Sequence, residues 1–497
     1  MSDALPAPDW AVLTVLLPLL GAALAFVAER QADRIGFAAT TGVALSSVML
    51  LLQVAGGAPY QQSIGGWAVP LGIALKADGL AALMLAMTGL VGLGVAAQAL
   101  RTMASELPPA RQGTAAPWAF WPLWLLLLGG LNALYLSADQ FNLYVTLEIV
   151  SLAAVGLTAL SGKPEAFTAA MRYLLVGFLA SLLYLLGVAL LYARYGVLDI
   201  GTAQSLLRPE PVAQLAMTVM LAGLALKSAL FPLHFWLPPA HGNAAASASA
   251  LLSALVVKAS VYLVLRLWFD LFGPTGLATE AAGLLLGLLG AGAILWGSLQ
   301  AVLAERLKLL VAYSTVAQVG YLFLALPLDG TERGLAWQGV AMLALAHAFA
   351  KSAMFLCCQI VQDRLGHDRI RALTSSAKLP RSTQLTLALA AISLIGLPPS
   401  GGFVGKWLLL QASLEGGFTL WTAVIMAGTL LSATAMFRVL VRFFAAQPDD
   451  PVEAEAPPPG ITARLIDLVP FALAAVAILL GLVATWPLMV LQVGAGG

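Results

Sequence analysis

Charge is what this 497-residue chain has least of: Asp, Glu, Lys and Arg make up 10% of it, and 60% is hydrophobic. A soluble domain of ordinary composition carries about 25% charged residues, so the chain reads as an all-α polytopic membrane protein. Its net charge of +1 offers no excess with which to hold nucleic acid. Only two cysteines are present, the adjacent Cys357 and Cys358. On a helix they point about 100° apart and cannot chelate one metal together. With four scattered histidines, no Cys/His cluster is available for iron–sulfur or haem, so neither a cofactor nor a metal is expected and the chain does not carry electrons itself. The glycine runs GLVGLG (89–94) and GLLLGLLGAG (283–292) lie inside apolar helical stretches rather than after a strand, which makes them packing glycines and not a dinucleotide fingerprint. No Lys or Arg precedes the first apolar run, where Asp3 and Asp9 stand. A cleaved signal peptide wants a basic start, so residues 11–28 are expected to be a retained first helix.

What is present is a succession of apolar runs. With about 20 residues per span, fourteen helices are predicted, near 11–28, 35–55, 77–100, 119–137, 140–160, 168–193, 212–231, 246–270, 277–303, 308–327, 335–362, 383–414, 418–443 and 464–491. The seventh is interrupted before a short apolar piece, 233–240, and the twelfth by GLPPSGG (396–402), because proline removes a backbone donor and crowds the preceding turn. The fifth span carries YVTLEIVSLAAVG and the tenth YSTVAQVGYL, a weak internal echo. Helices four to eight and nine to thirteen form two blocks of five, and an odd number inverts one block relative to the other. Paired broken helices in inverted repeats are a common transporter plan. The expected division is therefore 1–118 for helices one to three, 119–270 for the first repeat, 271–445 for the second, and 446–497 for an acidic loop and the last helix.

Orientation follows from Lys and Arg, which favour cytoplasmic ends. With the N-terminus outside, the inner ends hold sixteen: Arg30, Arg34, Arg101, Arg111, Lys163, Arg172, Arg306, Lys308, Arg364, Arg369, Arg371, Lys378, Arg381, Arg438, Arg442 and Arg464. The outer ends hold five, Lys76, Arg194, Arg208, Arg266 and Arg333. Both termini are thus expected to be non-cytoplasmic. Residues 363–381 form a basic inner link, and 446–462, acidic and rich in proline, read as a disordered inner loop.

The remaining four cations lie within apolar stretches: Lys227, Lys258, Lys351 and Lys406. Each costs roughly 2.5–3.5 kcal/mol at the centre of a membrane helix on insertion scales. The chain is organised around 216–266, where Lys227 precedes the first break and Lys258 follows it, because a broken helix at membrane depth is tolerated only inside protein or beside a wet cavity. Glu148 lies about 12 Å into the fifth helix at 1.5 Å per residue. His347 and Lys351, spaced i, i+4, share a helix face. Gln318 stands mid-helix, and His234 and His241 flank the break. Amines, imidazole and a carboxylate spread over separate helices suit a proton relay, since apolar surroundings disfavour the charged form and ease proton exchange near neutral pH. Each residue taken alone also fits a bland role: Glu148–Lys227 a structural ion pair, His347 a satisfied core histidine, Gln318 a bond between helices, His234 and His241 loop or interface residues.

From about Asn132 to Arg442 the chain resembles the antiporter-like subunits shared by Mrp-type cation/proton antiporters, respiratory complex I and membrane-bound hydrogenases. The resemblance rests on LYVTLEIVSLAAVGL, ALKSALFPLHFWLPPAH, SALVVKASVYLVLR, LKLLVAYSTVAQVGYL, HAFAKSAMF and LIGLPPSGGFVGKW. It implies a proton path through Glu148, Lys227, Lys258, His347, Lys351 and Lys406, with His234, His241 and Gln318 as auxiliaries. It also implies partner membrane subunits, protons with Na+ or K+ as the transported ions, and a bacterial inner membrane. Lys at 406 is similar to the D-type antiporter subunit and the N-type complex I subunit. Pro239 stands where members often have an acid, and Ala-Ala-Ala-Ser (244–247) where they have Thr-Pro, both departures at the first half-channel. The long lateral helix of the largest members is not expected after the fourteenth span. The implied function is a proton-translocating subunit of D type, the alternative being a pumping subunit of NADH:quinone oxidoreductase or a hydrogenase-4-type complex.

Overall fold

The computed structural model describes residues 8–67, 69, 72–106, 117–277, 279–328, 333–373, 379–444 and 468–494. The acidic stretch 446–462, and with it Arg111, Lys378 and Arg464, lie outside the described residues.

The chain is almost wholly helical, and its helices begin where local chemistry satisfies their free amides. In order they are α1 (Trp10–Val27), α2 (Ala32–Ala55), α3 (Gly79–Glu106), α4 (Phe120–Leu136), α5 (Gln140–Ala159), α6 (Pro164–Tyr195), α7 (Ile200–Leu206), α8 (Pro211–Lys227), α9 (Leu237–Asn243), α10 (Ala246–Leu251) and α11 (Val257–Arg266). The second half continues with α12 (Thr279–Leu303), α13 (Leu307–Phe323), α14 (Arg333–Leu365), α15 (Arg381–Ile395), α16 (Gly401–Glu415), α17 (Thr419–Phe444), α18 (Val469–Leu482) and α19 (Thr485–Leu491). Asp9, Asp139 and Asp199 cap α1, α5 and α7, each carboxylate accepting a main-chain N–H of the first turn. Gly196 and Gly396 end α6 and α15 in the left-handed conformation.

Among the described residues, eleven helices are long and apolar enough to cross a membrane, or twelve if α18 and α19, bent by 78°, are one span. The segments expected to be interrupted appear as pairs, α8 with α9 and α15 with α16, in which α8 and α15 are apolar but short. The span expected over 246–270 is less regular than its sequence suggests. It runs α10, a π-helical stretch Leu252–Val256, α11, and a second π-helical stretch Leu267–Phe272. One hairpin also departs from an all-helical chain: β1 (Tyr60–Ser63) pairs antiparallel with β2 (Ala74–Ala77).

Burial divides the helices. In α14 the most apolar window is wholly enclosed, and the 246–275 span is 94% buried, whereas the windows of α1 and α17 are 28% and 39% buried. The mostly uncovered helices carry a lipid-facing rim of exposed Leu, Phe and Met such as Leu20, Leu24, Met426 and Leu430. Lys258, His347 and Lys351 therefore sit on the innermost helices.

Candidate functional site

The first break exposes carbonyls that a cation can use. α8 ends at Lys227 because Ala229 turns to φ 54° and Pro232 follows. Lys227 thus stands at a helix C-terminus, where the aligned peptide dipoles favour positive charge. Its Nζ donates to Glu148 Oε1 of α5 at 3.2 Å and to Ser181 Oγ of α6. The lysine side chain is 6% exposed and the glutamate 15%. Trp236 Nε1 donates to the Leu226 carbonyl at 3.2 Å, and its ring stacks on Tyr173 at 4.5 Å, which fixes the far side of the break. Among the described residues, Glu148 is the sole carboxylate in an ion pair with any of the four buried lysines.

The other three amines lie in carbonyl and hydroxyl cradles. Lys258 is 1% exposed, and its Nζ donates to Ser253 O within the π-helical stretch before α11. Lys351, fully buried in α14, donates to Val311 O of α13 at 2.6 Å and to Ser314 Oγ. His347, one turn earlier, is buried with neither ring nitrogen hydrogen-bonded to a described residue. The groups near enough to act on it electrostatically are Lys258, Lys351, His241 and Lys406. His241 is likewise buried with both nitrogens unpartnered, its ring 5.4 Å from that of Phe355 on α14. His234 stacks against Phe231 at 5.6 Å. Both histidines belong to the packed break rather than to an open loop.

At the second break, Ser400 caps α16 by accepting from Phe403 N at 3.1 Å, and Lys406 turns back towards the end of α15. Its Nζ donates to Ile395 O at 2.9 Å and Leu394 O at 3.3 Å, with Thr429 Oγ1 of α17 at 3.5 Å. Gln318 Nε2 shares the Leu394 carbonyl at 2.9 Å. The Nζ also lies 4.4 Å from the centre of the Tyr321 ring. Lys406 therefore bonds to the C-terminal carbonyls of a broken helix, whereas Lys227, at the C-terminus of another, pairs with Glu148. A series of amines and imidazoles so held can take and give protons, and the charge of any one member changes the proton affinity of the next.

Sequence reasoning missed the partners: Ser181, Ser314, Tyr321 and Thr429 lie on other helices and carry no local signal. It counted Arg266 among the outer-end charges without its partners: the structure sets it in a two-pronged ion pair with Asp78, with Asp270 at 3.1 Å and the Tyr262 ring at 4.9 Å. Burial opposes ionisation of Asp78, but the Arg266 guanidinium beside it outweighs that and holds its carboxyl below the ordinary 3.8. Only the i, i+4 spacing of Arg266 and Asp270 was readable in advance.

Residues 137–432 match the family model described as NADH:quinone oxidoreductase/Mrp antiporter, TM. The chain belongs to this family. It is an integral membrane protein, similar along most of its length to family members of both kinds. The N-type subunit of the NADH-quinone oxidoreductase of Desulforudis audaxviator is 35% identical over 469 residues, 90% of this chain and 89% of the relative. The D-type subunit of the Na+/H+ antiporter of Alkalihalophilus pseudofirmus is 29% identical over 440 residues, 87% of this chain and 86% of the relative. A chain of the Mrp complex from Dietzia sp. DQ12-45-1b superposes with a TM-score of 0.84 at 26% identity, covering 98% of this chain and 97% of that one.

Proposed function

We propose that this chain is the proton-translocating, antiporter-like subunit of a multisubunit membrane assembly, of the Mrp D type. The observation that carries the reading is the Glu148–Lys227 ion pair at 3.2 Å, followed by three buried amines that share no carboxylate among the described residues. An arrangement meant only to fill a bundle gains nothing from buried charge, since well-packed apolar side chains serve as well or better. In this reading protons enter at Glu148–Lys227, pass Lys258, then His347 and Lys351, and leave from Lys406. His241, His234 and Gln318 support that line, and two inverted five-helix blocks, 119–270 and 271–445, hold its halves.

Other membrane subunits supply the driving force and the path of the exchanged Na+ or K+. The chain sits in a bacterial inner membrane with both termini outside. The second reading, a pumping subunit of N type in a quinone-reducing complex, is favoured by the 35% identity to the N-type relative. The same relay serves it, driven by redox chemistry elsewhere in the assembly.

The test is transport in everted vesicles by the assembled complex. Lys258→Met is expected to abolish transport while assembly persists. Lys258→Arg is expected to transport poorly, because a guanidinium stays charged at any relevant pH. Wild-type rates in Lys258→Met and Glu148→Gln would overturn the relay. Acidification relieved by added Na+ or K+ supports the D type, and acidification driven only by a reductant supports the N type.

A further inference from the structure

Lys406 is buried, 5% exposed, without a carboxylate partner among the described residues. Its charged form needs some other source of negative potential. The carbonyls of Leu394 and Ile395 supply part of it, and Leu394 O is shared with Gln318. Beside the Thr429 hydroxyl at 3.5 Å, a further near group is the Tyr321 ring, itself wholly buried, whose face lies 4.4 Å from Nζ. An ammonium over an aromatic face, removed from water, is stabilised by the ring quadrupole.

The ring is held for this task at its far end. Tyr321 Oη donates to Ile425 O at 3.4 Å, and Gly428 leaves it room, since a Cβ there would stand 2.5 Å from the hydroxyl oxygen. α13 thus presents the face of the ring, not its edge or hydroxyl, to the lysine.

We infer that Tyr321 is a positioning residue of the relay, whose π face takes the place of a counter-ion for the Lys406 ammonium. The inference rests on the proton-relay reading. The titratable groups that face Lys406 from the packed helices are few. α14 brings His347, and α13 brings Tyr321. The membrane-embedded parts of α15, α17 and α18 bring none, their arginines 381, 438 and 442 standing at helix ends.

The experiment grades the ring while keeping its shape. In the assembled complex, Tyr321 is replaced by Phe and then by mono-, di- and trifluorophenylalanine, and transport in everted vesicles is measured against pH. Phe keeps the π face without the hydroxyl anchor and is the reference against which the fluorinated rings are compared. Each added fluorine drains the face, so the pH of half-maximal transport is expected to fall stepwise, by about one unit in all. The sign follows because a less stabilised ammonium loses its proton at lower pH. A flat response across the fluorinated series overturns the inference, as does loss of transport already in Tyr321→Phe with no further effect of fluorine. Lys406→Met separates the two levels: full transport in that variant sinks the relay itself, whereas no transport there with a flat fluorine series sinks only the role of Tyr321.

Discussion

Gly396 and Lys406 meet across the second break: a Cβ on Gly396 would stand 2.7 Å from Lys406 Cδ. Gly396 is also the left-handed residue that ends α15, at φ 86°. One glycine therefore stops the helix and makes room for the lysine stem that bonds to the carbonyls it frees. Gly396→Ala meets both obstacles, a left-handed cost of about 1–2 kcal/mol and an overpacking cost of about 1–3 kcal/mol. The expected outcome is a destabilised chain that still inserts but transports slowly. Thermal unfolding of the purified protein and vesicle transport check the two effects separately.

The Glu148–Lys227 pair should show strong coupling. Removing one partner from a buried pair costs about 3–5 kcal/mol because the other is stranded, and the partial exposure of Glu148 reduces that to about 1–3 kcal/mol here. Glu148→Gln and Lys227→Met are each expected to lower stability by this amount, and the double variant by less than either. A double-mutant cycle on unfolding in mild detergent measures the coupling, and simple additivity would show the pair to be idle.

Acid should loosen the C-terminal end of α11. Because Asp78 has its carboxyl held below 3.8 by Arg266, its stabilisation is present above the unfolded value near 4 and is lost as the pH falls through the lower folded value. Asp78→Asn is expected to lower the melting temperature at neutral pH and to flatten its dependence on pH below about 4. A melting series from about pH 3 to 7 on both chains decides it.

Orientation is open to a direct check. Arg371 is exposed in the link that follows α14, and the two native cysteines are buried. Arg371→Cys is expected to react with an impermeant maleimide in everted vesicles and to stay unlabelled in intact cells. Labelling from outside intact cells would reverse the charge-based orientation.

Much of this architecture was legible because its signals are strong and local. Proline marks both breaks, and a lysine within twenty apolar residues stands out against its insertion cost. The partners were not legible, since Ser314 and Tyr321 look like any other residues of α13 until α14 and α16 pack beside them. The partner of Arg266 was hidden for a related reason: a basic residue at a helix end fits topology by charge, and only the fold brings Asp78 to it. The stretches LSALV and LWFDLF have ordinary helical composition, and nothing in them announces π-helical winding.

That winding bears on how the chain can be edited. A π-helical stretch holds about one residue more than an α-helical path of the same rise. Deleting a single residue from Leu252–Val256 would let the stretch relax to α-helix and keep Ala246–Leu251 in place. Every residue beyond would keep its face and its neighbours, because the α-helical path of the same rise needs one residue fewer. The same deletion within Val257–Arg266 would instead turn all that follows by about 100° and swing Arg266 away from Asp78, although it had not been altered. At the π-helical stretch, then, the span tolerates a change of length that its regular turns do not.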